Sequence, residues 1–328
     1  MQQRTLGTNG LSVSAIGYGC MGLSGLYGNA QDAESEAVLQ QTFELGVNFF
    51  DTADVYGDGH NEELVGRALK GVRDQLVIAS KCGFLHDADG AMLVNGNPDY
   101  IRSACDASLQ RLGTDHIDLY YLHRVDPVVS VEDSVGALAE LVKAGKVRHI
   151  GLSQTNPETL RRGHAVHPIA ALQSEYSLWV REPEDDVIPV CEELGIGFVP
   201  FCPLGRGFLT RRIRSIDNLV ADDLRLTVPR MNADNMKTNE PLLAMLDALS
   251  ARKGLTPGHL ALAWLLHKGE TICPIPGSRR IKHNEENAGA AAVALSDQEI
   301  AEMDRLFPIG VAAGSNRPTI VHDIEAGR

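Results

Sequence analysis

Gly46-Val47-Asn48-Phe49-Phe50-Asp51-Thr52-Ala53-Asp54-Val55-Tyr56-Gly57, followed closely by Asn61-Glu62-Glu63-Leu64-Val65-Gly66, decides the reading of this chain. The run Val47–Ala53 is too apolar for one wet face. It reads as a parallel strand covered on both sides. Asn61 reads as the N-cap of a helix over Glu62–Lys70. A buried strand that passes through a polar turn into a helix is one βα unit, and the same pattern recurs on both sides.

Seven more short runs read as strands: Ser14–Gly19, Leu76–Lys81, Ile117–His123, His149–Ser153, Ala171–Tyr176, Gly197–Phe201 and Ile272–Ser278. The first is rich in glycine and the least strand-like. Helical patterns cover Ala33–Leu45, Asp99–Leu112, Val131–Ala144, Val187–Leu194, Pro241–Lys253, Pro257–Lys268 and Ser296–Leu306. Glycines such as Gly113 and Gly195 stop them, and Ser296-Asp297-Gln298-Glu299 is a capping box. Eight strands alternating with helices predict a closed (β/α)8 TIM barrel rather than an open doubly wound sheet. Ahead of it, Asn9-Gly10 within Arg4–Val13 predicts an N-terminal β-hairpin that plugs the barrel bottom. No low-complexity linker divides the 328 residues, which read as a single domain. The polar stretch Thr210–Asn239 reads as a lid or binding loop.

The formal net charge of −13 argues against nucleic acid or an anionic membrane as partner. A phosphate-bearing ligand would need a local basic cluster. The six cysteines form no CxxC pair and no zinc spacing, as expected of free thiols in a reducing compartment. The N-terminus lacks the apolar core of a signal peptide, and no apolar run is long enough to span a bilayer. A cytoplasmic location is expected.

In a barrel of this kind the working residues stand at the C-terminal ends of the strands. The second strand leads through Asp51 to Tyr56, the third ends in Lys81 and the fourth in His123. Singly, these residues are more often surface charge, cap or packing; together at successive strand ends they make a constellation. Carbonyl reduction needs a proton for the oxygen as hydride reaches the carbon. A tyrosine is a weak acid near neutrality, and an adjacent ammonium lowers its pKa. Tyr56 is therefore expected to be the general acid, Lys81 its tuner, Asp51 the partner of the lysine and His123 the group that orients the carbonyl. A metal held by His123 and Asp51 would lack a third ligand.

The opening stretch, together with Leu119–His123, Gly151–Ser153, Gln173–Ser177, Phe201–Gly207 and Pro276–Arg279, resembles the aldo-keto reductase family over nearly the whole chain and in the same order. Gly19–Gly22 and Pro203–Gly207 are most similar to the branch holding perakine reductase, auxin-induced-like reductases and potassium-channel β-subunits. In that family the four residues above are the catalytic tetrad. Gly17-Tyr18-Gly19-Cys20-Met21-Gly22 matches GxGxxG, but it opens no helix and is not read as a Rossmann fingerprint. The resemblance instead puts Gly19, Cys20 and Met21 beside the nicotinamide.

Phosphate is expected after strands seven and eight. Pro203–Gly207 leads to Arg211 and Arg212, and Pro276–His283 carries Arg279. By resemblance, Ser153, Gln154 and Gln173 hold the carboxamide and Phe201 stacks on the nicotinamide. Cys202, Pro203, Leu204, Gly205, Arg206 and Gly207 wrap the pyrophosphate. Gly277, Ser278, Arg279, His283, Glu286 and Asn287 hold the adenosine end. Arg279 favours the 2′-phosphate, hence NADPH over NADH. Gln154, Phe201 and His283 depart from the commonest residues of the family at their positions.

Some of Tyr27, Phe84, His86 and Trp179 are expected to line the pocket of the substrate, a neutral aldehyde or ketone. The expected activity is NADPH-dependent carbonyl reduction, with the same residues serving alcohol oxidation. An NADPH-sensing module of the channel β-subunit type is the alternative. A non-redox barrel enzyme, an isomerase or lyase, fits the tetrad less well.

Overall fold

The structure is a computed structural model that describes residues 1–8, 10–28, 30–86 and 92–319. Its first strands, β1 (Gln3–Leu6) and β2 (Leu11–Ser14), pair antiparallel with Leu6 opposite Leu11. Asn9, half of the expected turn signal, lies outside the described residues.

Seven parallel strands form the barrel wall: β3 (Tyr18–Gly19), β4 (Phe49–Asp51), β5 (Val77–Cys82), then, after the β6 (Phe84–His86) and β7 (Met92–Val94) hairpin, β8 (Ile117–Leu122), β9 (Val147–Ser153), β10 (Ala171–Glu175) and β11 (Gly197–Phe201). The eighth segment is not a regular strand. Residues 271–276 still close the circle: the Cys273 and Ile275 N–H groups donate to Phe198 and Pro200 of β11, and Gly17 and Gly19 donate to the carbonyls of Pro274 and Pro276. Proline has no N–H, so the segment accepts bonds from the first strand without returning them. That is why the expected strand Ile272–Ser278 survives as one bridge at Ile272.

Helices α1 (Asp32–Glu44), α2 (His60–Leu69), α3 (Pro98–Leu112), α4 (Val131–Lys143), α5 (Pro157–Val166), α6 (Ile188–Leu194), α7 (Ala233–Lys253), α8 (Pro257–His267), α9 (Ile281–Gly289) and α10 (Asp297–Leu306) surround it. Two departures from expectation have clear causes. Helix α5 buries only Leu160 and Gly163, so it offers too few apolar residues to be read from the sequence, although Asn156 caps it and Pro157 starts it. Helix α7 begins at Ala233, capped by Asn232, and carries Pro241 inside rather than at its start. The lid-like polar stretch therefore ends earlier and is folded into short 3-10 turns at Leu224–Thr227 and Pro229–Met231. Asn61 is no cap either, since α2 begins one residue before it. Gly113 and the Ser296–Glu299 capping box act as expected; Gly113 takes the left-handed conformation at φ 63° that favours glycine.

Side chains alternate across each strand. Phe49, Val77, Ala79, Leu119, Tyr121, Ala171 and Val199 fill the barrel interior, while Phe50, Ile78, Tyr120, Leu122, Leu172 and Phe198 pack in the outer core. Leu6, Leu11 and Val13 of the hairpin join the interior group, so the hairpin closes the barrel at the strands' N-terminal end. Arg4 fastens it there, its guanidinium donating to the carbonyls of Leu266 (2.6 Å), Gly269 (2.5 Å) and Ile272 (2.6 Å).

Leu6 is a fully buried residue of this plug. Leu6→Ala is expected to destabilise the protein by about 2–5 kcal/mol, mostly through the cavity left behind. Urea unfolding monitored by circular dichroism checks this; a loss within experimental error would mean the plug does not contribute to global stability.

Candidate active site

Continuing the alternation upward gives the site its floor. Phe49 is followed inward by Asp51, Ala79 by Lys81, Tyr121 by His123 and Ala171 by Gln173. The interior is thus apolar below and polar in its top layer. Lys81 is fully buried. Its Nζ donates to Asp51 Oδ1 at 2.5 Å and to the Thr52 carbonyl at 2.7 Å, and lies 3.4 Å from the Tyr56 hydroxyl. Gln173 Nε2 donates to the other Asp51 oxygen at 2.7 Å. The Tyr56 and His123 rings stand edge to face at 5.9 Å, and Phe84 closes on His123 at 4.8 Å.

Tyr56 comes from the turn after β4, and that turn is tied down by Asn61. Asn61 Oδ1 accepts from Thr52 Oγ1 at 2.6 Å, and Nδ2 donates to the Cys20 carbonyl at 3.0 Å and to Ser24 Oγ at 2.8 Å. A side chain that reads as a cap in the sequence instead clamps the first two strand-end loops together.

The protonation states follow from burial and neighbours. Burial pushes the Tyr56 phenol above its usual value, against the opposing pull of the Lys81 charge, so the hydroxyl keeps its proton at neutral pH. The expected lowering by Lys81 is present but outweighed. Burial also pulls on Lys81, but Asp51 and Tyr56 more than compensate and the ammonium is held above its ordinary value. Asp51 is raised by burial, opposed by Lys81 and by the bonds from Lys81 and Gln173. Burial, with Lys81 and Arg124 nearby, drives His123 well below its usual value, so the imidazole is neutral.

These groups open into a cleft of about 940 Å³ at the C-terminal mouth of the barrel. Of the expected cofactor residues, Gly19, Met21, Ser153, Gln154, Gln173, Phe201, Cys202, Pro203, Leu204, Arg206 and Gly207 line it, as do Gly277, Ser278, Arg279, His283, Glu286 and Asn287. Cys20 is fully buried beneath the wall, and Gly205 is packed against the Trp179 indole. Arg206 does not present a loose guanidinium: it forms a buried two-bond pair with Glu175 at 2.8 and 2.9 Å. Arg279 donates to the carbonyls of Gly28 and Tyr27, both at 3.0 Å. Arg212 bonds Glu286 at 3.1 Å, and the Ser278 hydroxyl meets His283 Nδ1 at the same distance.

Of the four residues from which some were expected in the pocket, Tyr27 and Phe84 line the cleft, and Trp179 and His86 do not. Trp179 is 4% exposed and stacks on Phe208 at 4.4 Å. His86 faces Asp58 at 3.1 Å, beyond the cleft. Arg124, Arg225, Arg317 and Pro318 also line the cleft and escaped the sequence reading. Arg124 directly follows His123, a visible signal that reads as a surface charge in isolation. Arg317 lies beyond the last helix, where no local pattern points to the cleft.

The donor set fits a phosphorylated dinucleotide. In a protein of net charge −13, the cleft is lined by eight arginines, Arg124 and Arg225 together with Arg206, Arg211, Arg212, Arg279, Arg280 and Arg317, against the acids Asp51, Glu175 and Glu286. Phe201 offers an aromatic face, and Ser153, Gln154 and Gln173 offer hydroxyl and amide groups on the same wall. Among the described residues no group of three His, Cys, Asp or Glu side chains is placed to hold a metal ion.

Residues 15–307 match the model of the aldo/keto reductase family. The chain belongs to that family. It is 45% identical over 316 residues to the probable aldo-keto reductase 1 of Glycine max, covering 96% of this chain and 91% of the relative. The glycerol dehydrogenase of Gluconobacter oxydans superposes with a TM-score of 0.84 at 26% identity, covering 93% and 94% of the two chains. An aldo-keto reductase from Klebsiella pneumoniae in complex with NADPH matches at TM-score 0.75 and 28% identity over 97% and 99%. As a family member, this aldo-keto reductase is an oxidoreductase that uses a nicotinamide cofactor.

One buried acid stands outside the set above. Asp54 is pushed up to about 7, first by burial and then by Glu62. A carboxyl with a raised folded-state pKa favours folding while protonated, and that contribution is lost as pH rises from about 4 towards 7. Asp54→Asn, which mimics the protonated form, is expected to be near neutral for stability at about pH 4, where folded and unfolded Asp54 are both largely protonated, and to raise Tm at about pH 8. Thermal melts of both proteins across that range check the sign; equal differences at both pH values would contradict it.

Proposed function

We propose that this aldo-keto reductase reduces aldehydes or ketones to alcohols with NADPH, in the cytoplasm. The observation that carries the reading is the Asp51–Lys81–Tyr56 chain, with a neutral His123 beside it at the head of a cleft rich in arginine. The relative from Klebsiella pneumoniae solved with NADPH supports the cofactor.

When bound, NADPH supplies hydride to the carbonyl carbon. The chain's own residues handle the oxygen. Tyr56 holds a proton on its hydroxyl at neutral pH and gives it to the oxygen as negative charge develops. Lys81, fixed by Asp51 and the Thr52 carbonyl, keeps a positive charge 3.4 Å from the phenolate that is left. That charge costs no reorganisation during the step, because its bonds already hold it. His123 Nδ1 is buried without a partner among the described residues. A proton on Nε2 therefore gives the cleft a donor for the substrate oxygen and leaves Nδ1 as a bare acceptor. Ser153, Gln154 and Gln173 would hold the carboxamide and Phe201 the nicotinamide ring. The turns Cys202–Gly207 and Gly277–Arg279, with His283, Glu286 and Asn287, would hold the phosphates and adenosine.

Tyr56→Phe is expected to lower kcat by roughly 10²- to 10⁴-fold while leaving the Kd for NADPH nearly unchanged. Steady-state reduction of 4-nitrobenzaldehyde and a fluorescence titration check the two halves; near-normal turnover would remove Tyr56 as the acid. Arg279→Ala is expected to weaken NADPH by about tenfold or more and NADH far less, because a guanidinium pairs bidentately with phosphate. Equal losses for both would mean that Arg279 acts by holding the Tyr27–Gly28 loop rather than by reading the 2′-phosphate.

A further inference from the structure

Asp54 lies between Asp51 and Tyr56 in the chain, and its N–H donates to the carbonyl of Lys81 at 3.2 Å. Its side chain turns away from the cleft into a separate recess of about 300 Å³, lined also by Tyr100, Phe84 and Arg111. There Asp54 Oδ1 is buried with no hydrogen-bond partner, and Oδ2 lies 3.3 Å from the Tyr100 hydroxyl. The same hydroxyl donates to the Phe84 carbonyl at 2.8 Å and faces the Gly83 N–H at 3.4 Å. Phe84 in turn packs its ring on His123 and lines the cleft. A short chain of contacts therefore runs from Asp54 through Tyr100 and Phe84 to His123.

We infer that Asp54 is a positioning residue whose protonated form holds the Phe84 wall against His123 through the Tyr100 hydroxyl. This rests on the reductase reading above. The argument is a proton count. A phenol has one proton to donate. If Asp54 is protonated, its O–H donates to Tyr100, Tyr100 donates to the Phe84 carbonyl, and Gly83 donates to Tyr100: every group in the relay is used. If Asp54 is ionised, the carboxylate competes with the Phe84 carbonyl for the single phenol proton, and the charged acceptor is the stronger one. The backbone that carries Phe84 then loses that bond.

Burial and Glu62 oppose the ionisation of Asp54, while the Val55 N–H, Arg111 and the Tyr100 hydroxyl favour it. Glu62 of α2 is fully buried and adds a like charge, although it is bonded to Arg111 at 2.7 Å and to Ser80. Arg111 of α3 favours the ionised form, but Glu62 engages it. Asp58 and His86 face each other across the outer edge of the recess. On the β5 and β8 side lie the Lys81 backbone, whose ammonium is turned to Asp51, and the buried Cys82 thiol and Tyr120 phenol, both of which burial and an ionised Asp54 hold in their neutral forms. The balance puts the carboxyl at about 7. Tyr56 titrates above its ordinary value and His123 well below its own.

The test is the pH profile of kcat/KM for NADPH-dependent reduction of 4-nitrobenzaldehyde, from pH 5.5 to 9, in the whole protein. Wild type is expected to lose activity through an inflection near 7, by roughly three- to tenfold, the size of one neutral hydrogen bond. Asp54→Asn keeps an amide that can still donate, and is expected to hold the low-pH value across the range. Tyr100→Phe is expected to be flat at the high-pH value, with the loss mainly in KM if the wall binds substrate. A wild-type profile flat through 7, or an inflection that persists unchanged in Asp54→Asn, overturns the inference while leaving the reductase reading in place. Absence of any carbonyl turnover sinks the reductase reading, and this inference with it.

Discussion

A fully buried lysine is the constraint on which the site depends. An ammonium taken out of water is stable only when its lost hydration is replaced by charge and hydrogen bonds. Lys81 has an Asp51 carboxylate at 2.5 Å, the Thr52 carbonyl at 2.7 Å and the Tyr56 hydroxyl at 3.4 Å. Those partners come from the end of the neighbouring strand and from the turn beyond it. Keeping Lys81 satisfied therefore fixes where the second strand ends, how the turn to Tyr56 runs and where the phenol points. Gln173, from the far side of the barrel, completes the Asp51 carboxylate. Through these bonds a structural requirement and a chemical arrangement become the same set of contacts.

The barrel makes that arrangement affordable. Below the polar layer the interior is filled with side chains such as Phe49, Leu119, Tyr121 and Val199, and the hairpin closes the bottom with Leu6, Leu11 and Val13. Close packing below leaves the charged layer open on one side only, toward the cleft. The eighth segment shows how far the closed form is enforced by tertiary demand. Pro274 and Pro276 break the regular ladder, yet their carbonyls are placed to receive the N–H groups of Gly17 and Gly19.

The cleft gathers positive charge in an acidic protein, but much of that charge is already engaged. Arg206 is held by Glu175, Arg211 by Asp247, Arg212 by Glu286 and Arg225 by Asp223. Such pairs fix the guanidinium groups in place and set the shape of the wall. They also separate two jobs that look alike in the sequence: shaping the Cys202–Gly207 turn from within, and meeting an anion from without. Arg206 belongs to the first by its buried pairing with Glu175.

The barrel class, most of its helices and the grouping of Asp51, Lys81 and His123 at strand ends were legible in the sequence, because they follow from local periodicity. A strand with period two puts Asp51 above Phe49 and Lys81 above Ala79 wherever the strand sits. Tyr56 could be placed near them because its turn is short. What lay beyond reading was set by partners distant in the chain. Helix α5 has too few apolar residues to announce itself, and α7 runs through a proline that reads as a start. Asn61 looks like a cap until Cys20, Ser24 and Thr52 come round to meet it. Trp179 looks like a pocket wall until Phe208 stacks on it. The sequence alone thus determined the period of each element and the kinds of residue at its ends. Only the tertiary structure decided which polar groups are buried together, because burial and hydrogen-bond partnership are properties of the assembled barrel rather than of any one segment.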